Sequence, residues 1–209
     1  MLNKKKEITV GIPFYNETNK VYLRNSINSI LNQSFNNFEL HLLQDGKVSN
    51  SVKKLIKKYT MKYNNITHII NSKNKGLPYV LNKSILESNA KYYARMDADD
   101  ISHKERLKKQ YNFMEEHKNI DILGTWVLEF DDDYEDEEGF IKKLPIKEEE
   151  IKKFFHYRDP FAHPSVMFRR KLFAEIGLYN TDFITDQDTE LWGRVLKKNI
   201  GVANLPEPL

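Results

Sequence analysis

The chain has 209 residues, with 33 Lys and Arg against 30 Asp and Glu, and it contains no cysteine. This length suits one sizeable domain, the near balance of charge does not indicate a nucleic-acid partner, and the lack of cysteine excludes disulfides and thiolate chemistry. No signal peptide opens the sequence, and no apolar run approaches the roughly 20 residues that span a bilayer, so we expect a cytoplasmic protein. Because the sequence stops abruptly after the strand-like segment 201–209, we also expect a longer protein that continues beyond it.

Strand and helix patterns alternate through the first half of the chain. Apolar, β-branched segments predict strands over residues 8–14, 38–45, 66–71 and 92–97. Amphipathic spacing predicts helices over residues 20–33, 50–63, 77–88 and 103–117. This alternation indicates a mostly parallel sheet that is covered by helices on both faces.

The pattern changes in the second half. Residues 121–145 predict a long hairpin and residues 163–170 a strand, with helices over 146–157, 171–177 and 188–198. Two runs of like charge, the lysines of segment 53–58 and the acidic residues 131–139, are interpreted as solvated faces or loops.

Polar clusters follow the predicted strands at residues 15–17, 44–46, 71–76 and 97–100. In an open α/β sheet these clusters share the edge at which ligands bind. Alone, Asp97, Asp99 and Asp100 would suit a solvated turn that caps the next helix. Their place beside the other clusters favours a site for a divalent cation, because hard cations take oxygen ligands.

Several other chemistries lack their motifs in this sequence. There is no P-loop, no dinucleotide fingerprint, no H-E-x-x-H zinc motif and no G-x-S-x-G nucleophile elbow. Carboxylate-held Mg²⁺ or Mn²⁺ acting on a phosphate-bearing substrate is what remains.

Six segments together carry a family resemblance: VGIPFYNE, ILNQSFNNFELHLLQDG, NKGLPYVLN, RMDADD, HPSVMFRR and DQDTELWGR. In this order, between residues 8 and 192, they resemble a family 2 glycosyltransferase of the GT-A fold, of the bacterial type that builds capsule, O-antigen or exopolysaccharide. The resemblance implies one GT-A catalytic domain over residues 1–209, with a Rossmann-like, mostly parallel central sheet flanked by helices. Residues 1–100 would form the nucleotide-sugar half, and residues 101–209 a smaller acceptor-side half.

The resemblance also implies the reaction and its partners. The implied reaction is an inverting, Mn²⁺- or Mg²⁺-dependent transfer of a sugar. The donor would be a nucleotide sugar, which we expect to be a UDP-sugar, and the acceptor a glycan or a lipid-linked molecule. We expect no nucleic-acid partner. Peripheral association with the inner face of the cell membrane would come from residues beyond this sequence.

Site residues follow from the resemblance, position by position. Asp188 resembles the catalytic base, although the family usually has Glu-Asp where this chain has Gln187-Asp188. Asp99 resembles the metal ligand of the D-x-D motif, with Asp100 as an alternative or second ligand. The nucleotide-sugar contacts would be Pro13, Tyr15, Glu17, Asp45, Lys75, Gly76 and Asp97. Among these, Asp45 would accept the uracil N3–H and Asp97 would lie near the ribose.

Two aromatic residues are candidates for the acceptor side. His163 and Trp192 fall where the family lines that side, yet each also suits a structural role, as a histidine before a strand and as a core indole. Asp188 likewise suits the first turn of a helix, where a carboxylate complements the helix dipole.

Three other functional classes remain open at this point. A nucleotidyltransferase, or a haloacid-dehalogenase-like phosphatase, would use the same aspartates to hold Mg²⁺. A non-catalytic carbohydrate-binding scaffold would keep the fold without turnover.

Overall fold

The computed structural model describes residues 5–130 and 139–209. Most of the acidic run 131–139, which the sequence predicts to be solvated, therefore lies outside the described residues. The described part of the chain forms an eight-stranded sheet with helices on both faces.

The first half of the chain alternates strands and helices as predicted. The strands are β1 (Ile8–Phe14), β2 (Phe38–Asp45), β3 (Ile66–Asn71) and β4 (Tyr92–Arg95). The helices are α1 (Lys20–Leu31), α2 (Asn50–Lys62), α3 (Leu77–Glu87) and α4 (Arg106–Glu116).

The second half begins with β5 (Ile122–Glu129) and β6 (Phe140–Lys142), which pair antiparallel as the predicted hairpin requires. The remaining strands are β7 (Met167–Arg169) and β8 (Val202–Pro208). The helices are α5 (Glu148–Phe154), α6 (Leu172–Ile176) and α7 (Gln187–Lys197).

The strand order places the functional residues. The order β3-β2-β1-β4-β7-β5-β6, with β8 paired to β5, is parallel from β3 to β4. Beyond β4 the sheet becomes mixed, since β7 runs antiparallel to both β4 and β5. The carboxyl ends of β2, β1 and β4 consequently lie side by side at one edge.

Two apolar clusters cover the two faces of the sheet. One packs α1, α2 and α4 against the sheet, and the other packs α3, α5, α6 and α7 against the opposite face. The central strands β1 and β4 are almost wholly buried, which explains why their sequences are mostly apolar or aromatic and do not alternate with exposed polar residues.

Four predicted elements differ most from the structure. The helix predicted over residues 146–157 is confined to Glu148–Phe154. The fourth strand ends at Arg95, two residues before the prediction, and the fourth helix begins at Arg106 because residues 103–106 form a closed turn. The first half of the predicted strand 163–170 is a 3-10 turn over His163–Ser165, where proline cannot donate to a ladder.

Candidate active site

Tyr15 and Glu17 lie on the turn that follows β1. The Tyr15 hydroxyl donates to Glu17 Oε2 at 3.2 Å, and the ring is 44% exposed. The Glu17 carboxylate raises the pKa of Tyr15, and the charge of Asp99 adds a smaller effect in the same direction. Strands β1 and β4 pair in parallel with Gly11 opposite Arg95, so the end of β1, where Pro13 is half-buried, lies beside the loop that carries Asp99.

Asp45 ends β2 and organises the loop before α3. Its Oδ2 accepts from the Gly76 amide at 2.8 Å, and its Oδ1 accepts from the Lys75 amide at 3.0 Å and from Asn71 Nδ2 at 3.1 Å. Gly76 has a φ of +91°, a backbone conformation that residues with a side chain rarely adopt. Both carboxylate oxygens already bind the loop, so Asp45 fixes residues 71–76 at the sheet edge, and its contact to a base stays a prediction.

Lys75 presents its side chain at the same edge. Its Nζ donates to the Tyr79 hydroxyl at 3.0 Å and lies 4.1 Å from the centre of the Tyr79 ring. The side chain is exposed, and none of the carboxylates in the described residues pairs with it. An ammonium group whose charge no carboxylate neutralises suits an anionic ligand.

The D-x-D residues follow β4 directly. Asp97 forms an ion pair with the buried Arg95, and its carbonyl oxygen accepts from Ser26 Oγ at 2.7 Å. Asp99 is exposed. Burial raises the pKa of Asp100 to about 6, and the neighbouring charges of Asp97 and Asp99 contribute to this shift. Three carboxylates thus lie close together in one short loop, and the charges of two of them act on the third.

The oxygen donors of this loop fit Mn²⁺ or Mg²⁺ in kind. Among residues 5–130 and 139–209, no three acidic or histidine side chains converge into a ready-made metal cage. Mg²⁺ is usually bound by one or two carboxylates together with substrate phosphates, so such a cage is not required. Asp99 and Asp100 are the residues that meet this description.

A buried arginine lies beneath the loop, and sequence reasoning missed it. Arg106 Nη2 donates to the Arg95 carbonyl oxygen at 2.7 Å, and its Nε donates to Gln110 Oε1 at 3.1 Å. Gln110 in turn donates to the Ser165 carbonyl oxygen at 2.8 Å. Burial lowers the pKa of Arg106 to about 10, while the charge of Asp100 opposes that shift. The missed signal was its helical spacing, since Arg106 and Gln110 share the buried face of α4.

The acceptor-side candidates meet at the start of α7. Asp188 lies in the first turn of α7, and its Oδ2 is 3.9 Å from His163 Nδ1. The other ring nitrogen of His163 lies 2.8 Å from the Tyr179 hydroxyl. Burial, and secondarily the charge of Arg95, lowers the pKa of His163 well below its ordinary value. The 3-10 turn that His163 begins ends at Val166, whose carbonyl oxygen accepts from the Arg95 amide at 3.0 Å, so this turn joins the end of β4 to the start of α7.

Two further side chains frame Asp188. Asp159, which sequence reasoning also missed, accepts from Thr189 Oγ1 at 2.8 Å on each carboxylate oxygen. Burial raises the pKa of Asp159, and the charge of Asp188 adds to the shift. Trp192 is 0% exposed and meets His163 edge-on, with ring centres 6.0 Å apart, so its indole supports His163 from the core.

The sheet edge and the start of α7 thus form one continuous site. The structure brings together the ends of β1, β2 and β4 and, through the Arg95 amide bonded to Val166 and through His163, the carboxylate of Asp188. Within the described residues, no helix has the length and apolar character needed to cross a membrane.

Comparison with known proteins gives the relationship of the chain. The family model described as glycosyl transferase family 2 matches residues 9–177. The uncharacterized glycosyltransferase MJ1057 of Methanocaldococcus jannaschii is 35% identical over 196 residues, which cover 92% of this chain and 65% of that protein. The amylovoran biosynthesis glycosyltransferase AmsE of Erwinia amylovora is 32% identical, over 96% of this chain and 74% of that protein. The chain thus spans about two thirds to three quarters of these relatives.

A solved structure shares the fold. S. aureus TarS 1-349 in complex with UDP-GlcNAc superposes with a TM-score of 0.75 at 18% identity, covering 96% of this chain and 56% of that one. At this identity the likeness concerns the fold, which is the GT-A arrangement that the sequence predicts. The family match and the identity to AmsE reach further, and the chain belongs to glycosyl transferase family 2.

Proposed function

We propose that the chain catalyses inverting transfer of a sugar from a UDP-sugar to a hydroxyl of a glycan or lipid-linked acceptor, in surface polysaccharide synthesis. The observation that carries the proposal is the continuity of the site: the turn that begins at His163 is bonded to β4 through the Arg95 amide and the Val166 carbonyl oxygen, at 3.0 Å, and His163 itself lies 3.9 Å from Asp188. The name of AmsE, which refers to amylovoran biosynthesis, supports the polysaccharide role. The family match disfavours the nucleotidyltransferase and phosphatase alternatives.

The donor nucleotide would lie across the ends of β1 and β2. The exposed Tyr15 ring offers a flat surface to a base, and Asp45 places the 71–76 loop beside it. The Lys75 ammonium, which Tyr79 holds and no carboxylate in the described residues neutralises, would pair with the diphosphate. The UDP-GlcNAc complex of TarS, which shares this fold, supports a UDP-sugar as the donor.

Asp99, with Asp100, would hold Mn²⁺ or Mg²⁺ on the diphosphate side. When bound, the ion supplies a Lewis acid that neutralises the charge developing on the leaving diphosphate. Arg95 and Arg106 keep the loop in place from below: Arg95 pairs with Asp97, and Arg106 bonds the Arg95 carbonyl oxygen.

Asp188 would act as the general base. Burial keeps the Tyr179 hydroxyl protonated, since it raises its pKa well above the ordinary value, so this hydroxyl donates to His163 Nε2. The neutral imidazole then carries its proton on Nδ1, so an N–H dipole lies 3.9 Å from Asp188 Oδ2 and favours the ionised carboxylate. Asp188 would take the proton of the acceptor hydroxyl while the oxygen of that hydroxyl forms a bond to the anomeric carbon.

This arrangement would invert the configuration at the anomeric carbon. The bond between the anomeric carbon and the diphosphate oxygen breaks on the face opposite the attacking hydroxyl, and the electron pair leaves with the UDP. Base assistance of this kind is typically worth about 10²–10⁴ in rate. The reaction would take place at the inner face of the cell membrane.

Slow donor hydrolysis provides the test. The proposal predicts that the chain releases UDP from a matching UDP-sugar when Mn²⁺ is present. It also predicts that this UDP-sugar stabilises the folded protein in proportion to ln(1 + [L]/Kd), which is measured as a higher melting temperature of the protein. A simple phosphate ester serves as the control substrate and should remain intact. Cleavage of that ester without UDP release would indicate a phosphatase, and binding without any turnover would indicate a carbohydrate-binding scaffold.

A further inference from the structure

The charges of the chain are very unevenly distributed. Residues 46–86 contain nine lysines and no Asp, Glu or Arg. The whole chain carries +3, so subtracting the +9 of this segment leaves −6 for the remaining residues. The segment comprises α2, β3, most of α3 and the loops between them, and its charge plays no part in the proposed reaction beyond Lys75.

The outer face of α2 carries the greatest density of this charge. Val52, Leu55 and Ile56 pack into the core, which leaves the lysines on the opposite face of the helix. Lysines 53, 54, 57, 58 and 62 are all exposed. Several of them stand four residues apart, a spacing at which like charges destabilise a helix. Within residues 5–130 and 139–209, none of the five forms an ion pair with a carboxylate.

The neighbouring elements extend the basic face. Helix α1, which packs beside α2, also contains no acidic residue and carries Lys20 and Arg24. Strand β3 is the terminal strand of the sheet, and Lys73 is exposed on the loop after it. Two apolar side chains lie exposed on these elements: Met61 on α2 is 76% exposed and Ile70 on β3 is 52% exposed.

We propose that this face, the basic face, docks the chain on an anionic lipid surface. Lysine ammonium groups are hydrated point charges that suit a diffuse layer of headgroups, whereas forked recognition of nucleic-acid phosphates favours arginine, which segment 46–86 lacks. The charge is spread over a helix face and a sheet edge rather than lining a groove, as contact with a flat partner requires. Exposed apolar side chains among lysines are typical of interfacial surfaces.

The position of the basic face suits an acceptor that is carried on a membrane. Lys47 and Lys73 lie on loops at the same sheet edge as Asp45, so contact through this face keeps the donor site beside the lipid surface. This last step rests on the proposed function, whereas the binding itself does not.

Vesicle sedimentation tests the proposal with two matched variants. In the first, Lys53, Lys54, Lys57 and Lys58 are all changed to Gln, which retains good helix propensity. In the control, four exposed lysines elsewhere, Lys104, Lys153, Lys171 and Lys197, are changed to Gln. Each variant removes four charges from +3, so both have a net charge of −1. Vesicles of phosphatidylcholine alone are compared with vesicles in which a third of the lipid is phosphatidylglycerol.

The chain should bind the phosphatidylglycerol vesicles and not the neutral ones. The α2 variant should bind at least about tenfold more weakly than the control variant, a difference of about 1.4 kcal/mol. Raising the salt from 0.1 M to 1 M should release the chain, because the Debye length falls from about 10 Å to about 3 Å. Unchanged binding by the α2 variant, an equal loss in both variants, or no binding by the wild type would overturn the proposal.

A second measurement separates this proposal from the catalytic one. UDP-induced thermal stabilisation should be the same in the α2 variant and the wild type, because none of the four substituted lysines contacts the candidate site. If the wild type binds vesicles but not UDP, the proposed function fails while the docking surface stands. If single-stranded RNA binds through the same lysines while vesicles do not, the lipid surface is the wrong partner.

Discussion

Tyr179→Phe removes one oxygen from the contacts behind Asp188. The Tyr179 hydroxyl lies 2.8 Å from His163 Nε2, and both side chains are buried. Leaving a buried nitrogen unpaired typically costs about 1–3 kcal/mol. Asn82 bonds the backbone of Tyr179 at both its N–H, at 2.9 Å, and its carbonyl oxygen, at 2.8 Å, so the ring should keep its position.

We expect the free energy of unfolding to fall by about 2 kcal/mol in this variant. For a chain of this size, each kcal/mol lowers the melting temperature by about 2–4 °C, so a decrease of roughly 4–8 °C is predicted. The freed imidazole can also carry its proton on Nε2, which removes the N–H that faces Asp188 at 3.9 Å. UDP release from the donor should then slow by roughly tenfold, while UDP affinity, measured by calorimetry, should remain unchanged.

Tyr111→Phe is the matched control for this prediction. The Tyr111 ring packs on Phe35 and Tyr92, and its hydroxyl forms no hydrogen bond within the described residues. Its loss should change neither the melting temperature nor turnover appreciably. The reasoning is refuted if Tyr179→Phe matches the control in both measurements. A loss of stability with full turnover would confine Tyr179 to a structural role.

Three further predictions concern the metal, the pocket for the nucleobase, and pH. Asp99→Ala should remove Mn²⁺-dependent binding of UDP-sugar in a thermal-shift assay while the chain stays folded, and retained Mn²⁺ dependence would exclude Asp99 as a ligand. UDP should bind at least about tenfold more tightly than CDP by calorimetry, because a carboxylate at Asp45 accepts the uracil N3–H but offers no donor to cytosine; equal affinities would contradict this pocket. The pKa of His163 is lowered in the folded protein, so the unfolded protein binds a proton at this residue first as the pH falls. The free energy of unfolding should therefore fall as the pH drops below about 6.5, by at most about 1.4 kcal/mol per pH unit. His163→Gln should reduce that slope in denaturant titrations, and an identical slope would disprove the assignment.

The first half of the fold follows closely from the sequence. Each strand over residues 8–71 matches its predicted bounds, because a long apolar run ends at polar, glycine or asparagine residues. The convergence of residues 15–17, 45–46 and 97–100 also follows, because parallel strands end at a common edge.

The second half was less predictable because its contacts are distant in sequence. Strand β7 is only three residues long and is inserted antiparallel beside β4, a pairing that local patterns do not reveal. The start of α4 depends on a closed turn rather than on amphipathic spacing. Strand β8 pairs parallel with β5, far along the chain.

The candidate site shows the same limit. Aspartates next to strands are visible as sequence motifs, whereas the groups that support them are not. Arg106 resembles any other solvated cation in a lysine-rich helix, and only its buried environment identifies it as a support for residues 95–100. Tyr179 contacts His163, and Asp159 contacts Thr189, and in each pair the two residues lie far apart in the sequence. Their roles are therefore visible only in the folded chain.

The role of Asp188 is the central claim, and Asp188→Asn tests it most directly. This change keeps the shape of the side chain and removes its ability to take a proton. Asp182→Asn, at an exposed position in the loop before α7, is the matched control with the same loss of charge. With UDP-sugar and Mn²⁺, UDP release by Asp188→Asn should fall by about 10²-fold or more, while UDP affinity and the rate of the control stay at the wild-type level. UDP release within a few-fold of wild type in Asp188→Asn would contradict the account.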